Sequence, residues 1–161
     1  MAMQKEEVLT LLDEVKDPEI PVVSLVEMGI LRAVEVDGVK VTVTLTPTFA
    51  GCPAMQMMQT EVRERLLAAG FETVEIKISN DPPWSSNWIT EEARRKLQAF
   101  GIAPPPPIHS GELEIALSQA VSCPYCGSKN THQKNSFGPG LCRSIYYCND
   151  CQQPFEQFKP L

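Results

Sequence analysis

Apolar positions recur along this chain in two periods, and each period predicts an element. Val8, Leu11, Leu12 and Val15 fall at helical spacing within residues 4–15, which predicts a short amphipathic helix. Asp17-Pro18-Glu19-Ile20-Pro21 ends it, because a residue before proline is pushed out of the helical region. Ser24 is placed to cap a second short turn through Leu25, Val26 and Met28, which Gly29 closes. Alternation then takes over: residues 31–36 and 39–45 flank Asp37-Gly38, a two-residue hairpin signal. That register sets Val36 opposite Val39 and Val34 opposite Val41, and leaves Glu35 to face Lys40 on the other side. After Cys52, a helical stripe of Met55, Met58, Val62 and Leu66 runs to Gly70. Met57 points away from that stripe, so the three methionines read as core filling rather than a soft-metal box. Residues 73–78 alternate again through Val74, Ile76 and Ile78.

Strand, helix and strand in close succession form a crossover unit, which places the third strand parallel to the second. The fold class predicted is α+β, a small mixed three-stranded sheet packed with helices. Its carboxyl edge, where ligands sit in such sheets, carries Cys52 and the segment after residue 79. That segment holds Pro82-Pro83, Trp84 and Trp88, and reads either as a lid on the sheet or as a partner surface. Thr90 caps a helix whose face is Ile89, Ala93, Leu97 and Phe100, stopped by Gly101. Pro104 to Pro107 form a stiff extended spacer, and residues 113–121 read as a strand entering a second module. The expected organisation is an α/β domain over 1–103, a proline-rich linker over 104–112 and a C-terminal module over 113–161.

Composition narrows the setting. A chain of 161 residues suits one domain, or a small one with a satellite. No apolar run nears the ~20 residues of a membrane helix. The first residues are acidic and lack the core of a secretory signal, so a cytoplasmic, reducing setting is expected. There, six cysteines read as metal ligands or reactive thiols rather than disulfides. A net charge of −6 argues against a protein that clings to phosphate backbones.

The cysteines carry the clearest chemistry. Cys123-Pro124-Tyr125-Cys126 and Cys148-Asn149-Asp150-Cys151 are two knuckles with 21 residues between them, the pattern of a tetrahedral structural zinc site in a zinc ribbon. A four-cysteine iron centre is the rival. A closed thiolate shell has no open position, so this metal is structural and not catalytic. Tyr146, Tyr147, Phe155 and Phe158 supply a modest apolar patch, and Cys142 is either a packed thiol or a spare ligand. Lys129, Lys134, Arg143 and Lys159 against Asp150 and Glu156 make no basic run, which favours protein docking over nucleic acid. Cys52 has two readings. With Pro53 at the first helical position it stands at an N-cap, where the helix dipole lowers a thiol pKa and readies it to attack or bind metal. It is otherwise a small buried residue filling a tight turn. Asp17 and Glu19, beside rigid prolines, read as turn formers or as site carboxylates.

Taken together, Asp17-Pro18-Glu19, the stretch Val26-Glu27-Met28-Gly29-Ile30, Thr46 with Cys52-Pro53, and Asp81-Pro82-Pro83-Trp84 resemble the family of small iron–sulfur cluster assembly domains of the MIP and SufT type. With Trp88-Ile89-Thr90, Phe100 to Pro105, Phe137-Gly138 and Cys142, the whole chain is similar to the PaaD family of phenylacetyl-CoA epoxidase components. The resemblance implies an accessory part in phenylacetate catabolism, helping to mature the metal centres of a diiron oxygenase and a flavin and iron–sulfur reductase. It matches Cys52 to the motif cysteine, with Asp17, Glu19 and Thr46 beside it and Trp84 and Trp88 as candidate partner surface. Neither the paired helical carboxylates and histidines of a diiron oxygenase nor a dinucleotide fingerprint occurs. The competing readings are a non-catalytic docking subunit of the epoxidase and a thiol enzyme with Cys52 as nucleophile, for which neither His109 nor His132 is an obvious base.

Overall fold

The crossover predicted from the alternating segments is present in the computed structural model, which describes residues 3–161. Strand β1 (Leu31–Asp37) runs antiparallel to β2 (Lys40–Leu45), and β2 runs parallel to β3 (Thr73–Ile78), giving the order β1-β2-β3. Helix α2 (Met55–Ala68) makes the crossover and buries Met55, Met58, Val62 and Leu66, the stripe expected of it. Helix α1 (Lys5–Leu12) is shorter than predicted: after Leu12 the chain tightens through Glu14 and Val15 N–H bonds to the carbonyls of Leu11 and Leu12. Val8, Leu12, Val15, Val41, Val43, Leu45, Val62 and Leu66 are all sealed from solvent and form the core of this part.

The hairpin register differs from the one expected. Asp37 pairs with Lys40 and Val36 with Val41, so the turn residues are Gly38 and Val39. Gly38 has φ +58° and Val39 does not share the positive φ, so the turn has glycine at its first central position, as a type II′ turn requires. Val39 is left exposed, and Lys40 meets Glu75 of β3 at 3.3 Å instead of Glu35. The Ser24 turn forms as predicted: Glu27 N–H donates to Ser24 Oγ at 3.0 Å, Ser24 N–H donates to the Glu27 carboxylate at 2.9 Å, and Gly29 has φ +69°.

The described chain divides into two compact units, the first ending at Trp84 and the second spanning Ser85–Leu161. Within the second lie a 3₁₀ turn at Ser86–Trp88, α3 (Glu91–Ala99), β4 (Ile102–Ala103), α4 (Leu113–Ser118), β5 (Thr131–Asn135), β6 (Arg143–Cys148) and β7 (Pro154–Phe158). Its sheet has the order β4-β7-β6-β5. Thr90 caps α3 by accepting the Ala93 N–H at 3.1 Å, and Ala93 and Leu97 are buried, but Phe100 is exposed because it has left the helix at its C-cap. The segment expected as a strand at 113–121 is partly helix α4 instead: β4 already occupies the outer edge of β7, so no free edge is offered to it there. The expected boundary after residue 103 falls inside this second unit, where the prolines are tied down. The Arg94 guanidinium donates to the carbonyls of Pro105 and Ser86, and Ile108 exchanges backbone bonds with the Asn87 side chain at 2.6 and 2.9 Å.

Candidate functional site

The two cysteine knuckles converge. Each turn is shaped by a residue with positive φ, Gly127 at +75° and Gln152 at +59°. The Gly127 N–H closes on the Cys123 carbonyl at 2.9 Å, and the Cys148 N–H on the Gln153 carbonyl at 3.0 Å. All four sulfurs lie within 4.8 Å of one another, with Cys123–Cys151 and Cys126–Cys148 at 3.6 Å. A tetrahedral ion with metal–sulfur bonds of about 2.3 Å sets its sulfurs about 3.8 Å apart, so the donor set fits such an ion. N–H groups of Cys151 and Asp150 directed at Cys148 hold its thiol down to about 7, while burial and neighbouring thiols push Cys151 up to about 12. Cys123 and Cys148 are buried with Ala103, Val121 and Phe155, against which Tyr146 stacks. Cys142 is buried elsewhere in the unit and is not in this sulfur group. Of the four basic residues in the module, Arg143 pairs with Glu156 at 2.7 Å, Lys134 lies over Tyr147 and Lys159 over Phe137.

Cys52 lies in the first unit, on the loop between β2 and α2. That loop leaves the sheet at Thr46, a buried residue whose N–H bonds the Ile30 carbonyl at 2.8 Å, and it turns at Gly51 with φ +77°. The helix N-cap is Ala54 and not Cys52, because one extra turn precedes the helix. Cys52 still accepts from the N–H groups that begin that helix, those of Ala54 and Met55, and it is half-buried. Its pKa is nonetheless raised, against the expectation from capping alone. Burial is the largest cause, and the charges of Glu19 and Asp17 add to it, together outweighing the two N–H groups. The thiol is therefore protonated at neutral pH.

The charges of both sequence-predicted carboxylates act on the Cys52 thiol. Asp17 is also a turn former: its carboxylate accepts the N–H groups of Glu19 at 2.8 Å and Ile20 at 3.1 Å. Trp84, read as candidate partner surface, is 5 % exposed and donates its indole N–H to the Met28 carbonyl at 2.9 Å. Little of its surface is thus open to a partner. Trp88 is half-buried in the second unit.

Sequence reasoning missed an open groove of about 910 Å³ along the outer side of α2, lined by Pro18, Pro53, Met57, Glu61, Glu64 and Ala68 among others. The signal for it was Met57, an apolar side chain on the wrong side of its helix and 64 % exposed. No helix among the described residues is long and apolar enough to cross a membrane.

Comparison with known proteins gives one family match within each unit. A model described as an iron-sulfur cluster assembly protein matches residues 5–78, and one described as the PaaD zinc beta ribbon domain matches residues 109–159. A protein of Escherichia coli (strain K12) described as the D component of a 1,2-phenylacetyl-CoA epoxidase is 36 % identical over 156 residues, covering 97 % of this chain and 93 % of that protein. An Fe-S protein maturation auxiliary factor of Porphyromonas gingivalis is 35 % identical over 96 residues, 58 % of this chain and 90 % of that one. A crystal structure of a domain of unknown function, DUF59, from Bacillus anthracis superposes with a TM-score of 0.54 at 26 % identity, over 58 % of this chain and 90 % of that one.

Proposed function

The chain belongs to the PaaD family, an iron–sulfur assembly domain joined to a zinc β-ribbon, and on that premise we propose that it is an accessory maturation subunit of a phenylacetyl-CoA epoxidase system. In this reading Cys52 transiently holds iron or an iron–sulfur species bound for the diiron oxygenase or the flavin and iron–sulfur reductase. The protein works in the reducing cytoplasm, where its six thiols persist. The four-cysteine cluster holds zinc as a folding element, a contribution on the order of 10–16 kcal/mol in comparable peptides.

The observation that carries the reading is the half-buried Cys52 thiol between two helix-start N–H groups and the charges of Glu19 and Asp17. Those carboxylates oppose a thiolate yet favour a cation. The sulfur thus keeps its proton, and stays inert, until a cationic cargo arrives and displaces it. One thiolate cannot hold a cluster, which takes four ligands, so the others come from the recipient or a second copy. The raised pKa also counts against a nucleophilic enzyme.

The test is metal and sulfide analysis of anaerobically purified protein, wild type beside Cys52→Ser. About one zinc per chain is expected in both, and iron only in the wild type. A Cys52→Ser protein that still yields fully metallated, active epoxidase removes the cargo role. A docking subunit is the second reading, favoured by the exposed Leu113, Ile115 and Leu117 around α4. It expects fixed-stoichiometry co-purification that is lost with the ribbon and not with Cys52.

A further inference from the structure

We infer that the groove along the outer side of α2 is the seat of the recipient protein, taking a basic segment with apolar side chains next to Cys52. The inference rests on the proposed cargo role, which requires a recipient at that thiol. Pro18 and Pro53 line the groove, and they adjoin Asp17, Glu19 and Cys52 in sequence. From there it follows one side of α2 through Met57, Glu61, Glu64 and Ala68. Its length is that of a 14-residue helix, about 21 Å, and it is open rather than enclosed, which suits a polypeptide better than a small molecule.

Charge decides the occupant. Glu61 and Glu64 line the groove with Arg65, whose guanidinium is shared between Glu61 at 3.2 Å and Glu14 at 2.7 Å. Asp17 and Glu19 adjoin one end. Two carboxylates and one guanidinium therefore line the groove itself, and that guanidinium is already neutralised by Glu61 and by Glu14 beside it, which leaves Glu64 unopposed within the lining. The neighbouring Lys16 and Arg63 are not part of the lining and donate to the carbonyls of Asp13 at 3.3 Å and Val74 at 2.7 Å. Such a field attracts lysine and arginine side chains and repels a second copy of a chain with net charge −6. Met57, flexible and exposed, gives those side chains' apolar neighbours a surface that adapts to them.

The test uses the full-length, zinc-loaded protein and a fluorescent peptide of about 14 residues, the length of α2, with leucine and lysine at helical spacing. A matching peptide with glutamate for lysine is the first control. The lysine peptide is expected to bind and the glutamate peptide not. The double variant Met57→Asp/Glu64→Lys should weaken binding about tenfold or more, whereas Val39→Asp/Glu35→Lys, with the same change in net charge on the hairpin, should leave it within about twofold. Equal loss in both double variants would reduce the effect to net charge and overturn the proposal, as would equal binding of the two peptides. So would a sedimentation result in which the wild type is a dimer that Met57→Asp/Glu64→Lys dissociates. Iron content is read in parallel. If Cys52→Ser retains iron while the peptide results hold, the cargo reading fails and the groove stands; if iron binding is confirmed and the peptides do not discriminate, the groove alone falls.

Discussion

Cys52 keeps its proton through neutral pH because burial and two acidic neighbours outweigh the N–H groups of Ala54 and Met55. Site-resolved alkylation by iodoacetamide should therefore rise only in alkaline solution, with a midpoint above the ordinary value of 9.0. Asp17→Asn with Glu19→Gln should move that midpoint down, and a profile indifferent to both would remove the carboxylates from the site. The same shift bears on stability. The folded protein holds the Cys52 proton more tightly than the unfolded chain, so this contribution is complete below the ordinary value and is lost as pH climbs above it. By its local motif, Cys52-Pro53 has the look of an N-cap and hence of a lowered pKa. What reverses the sign is burial, together with residues more than 30 positions away in the chain, and neither can be read from neighbouring residues. Asp17-Pro18-Glu19 was legible as a pair of carboxylates, but the action of its charges on Cys52 follows from the fold and not from spacing.

At the scale of elements, strong local signals carried through. The stripe from Met55 to Leu66, the Thr90 cap and the parallel third strand all depend on short-range periodicity, and all stand in the structure. The hairpin shows the limit: Asp37-Gly38 located the turn to within one residue, but the turn falls at Gly38-Val39, with only Gly38 at positive φ, so the pairing slides by two residues on β2 and the same face stays apolar. Gly38→Ala should cost about 1–2 kcal/mol in urea unfolding, from backbone conformation alone, since a Cβ there meets nothing within 4 Å. Thr90→Ala should cost about 1 kcal/mol through the lost cap on α3. Residues 113–121 depart from expectation for a different reason. Their alternation suits a strand, yet a strand needs an edge to join, and the competitor for that edge is the distant pair Ile102–Ala103.

For the molecule as a whole, the two units draw their cohesion from different sources. The first has an apolar core from Val8 to Leu66, whereas the sheet of the second gathers around buried Cys123 and Cys148 with a handful of apolar side chains. Chelating the metal should therefore strip amide-exchange protection from β5, β6 and β7 while leaving β1, β2 and β3 protected. Loss of protection in both units at once would mean that they fold as one. The fold class and the four-sulfur cluster were legible because spacing within each knuckle dictates proximity. The groove beside α2 was not, since a surface concavity depends on which elements fail to cover a face.

The pairing of Ile102 and Ala103 with Glu156 and Gln157 also dictates where the tail can be cut. A fragment begun at residue 109, where the ribbon model's match starts, would carry its sulfurs intact but expose the flank of Phe155 and Phe158 as bare, unclaimed backbone. Such a flank recruits whichever strand comes by, so that fragment should form aggregates even when fully metallated. Starting instead at Ser85 retains the sealing residues and the helix before them, and should give a well-behaved minimal ribbon.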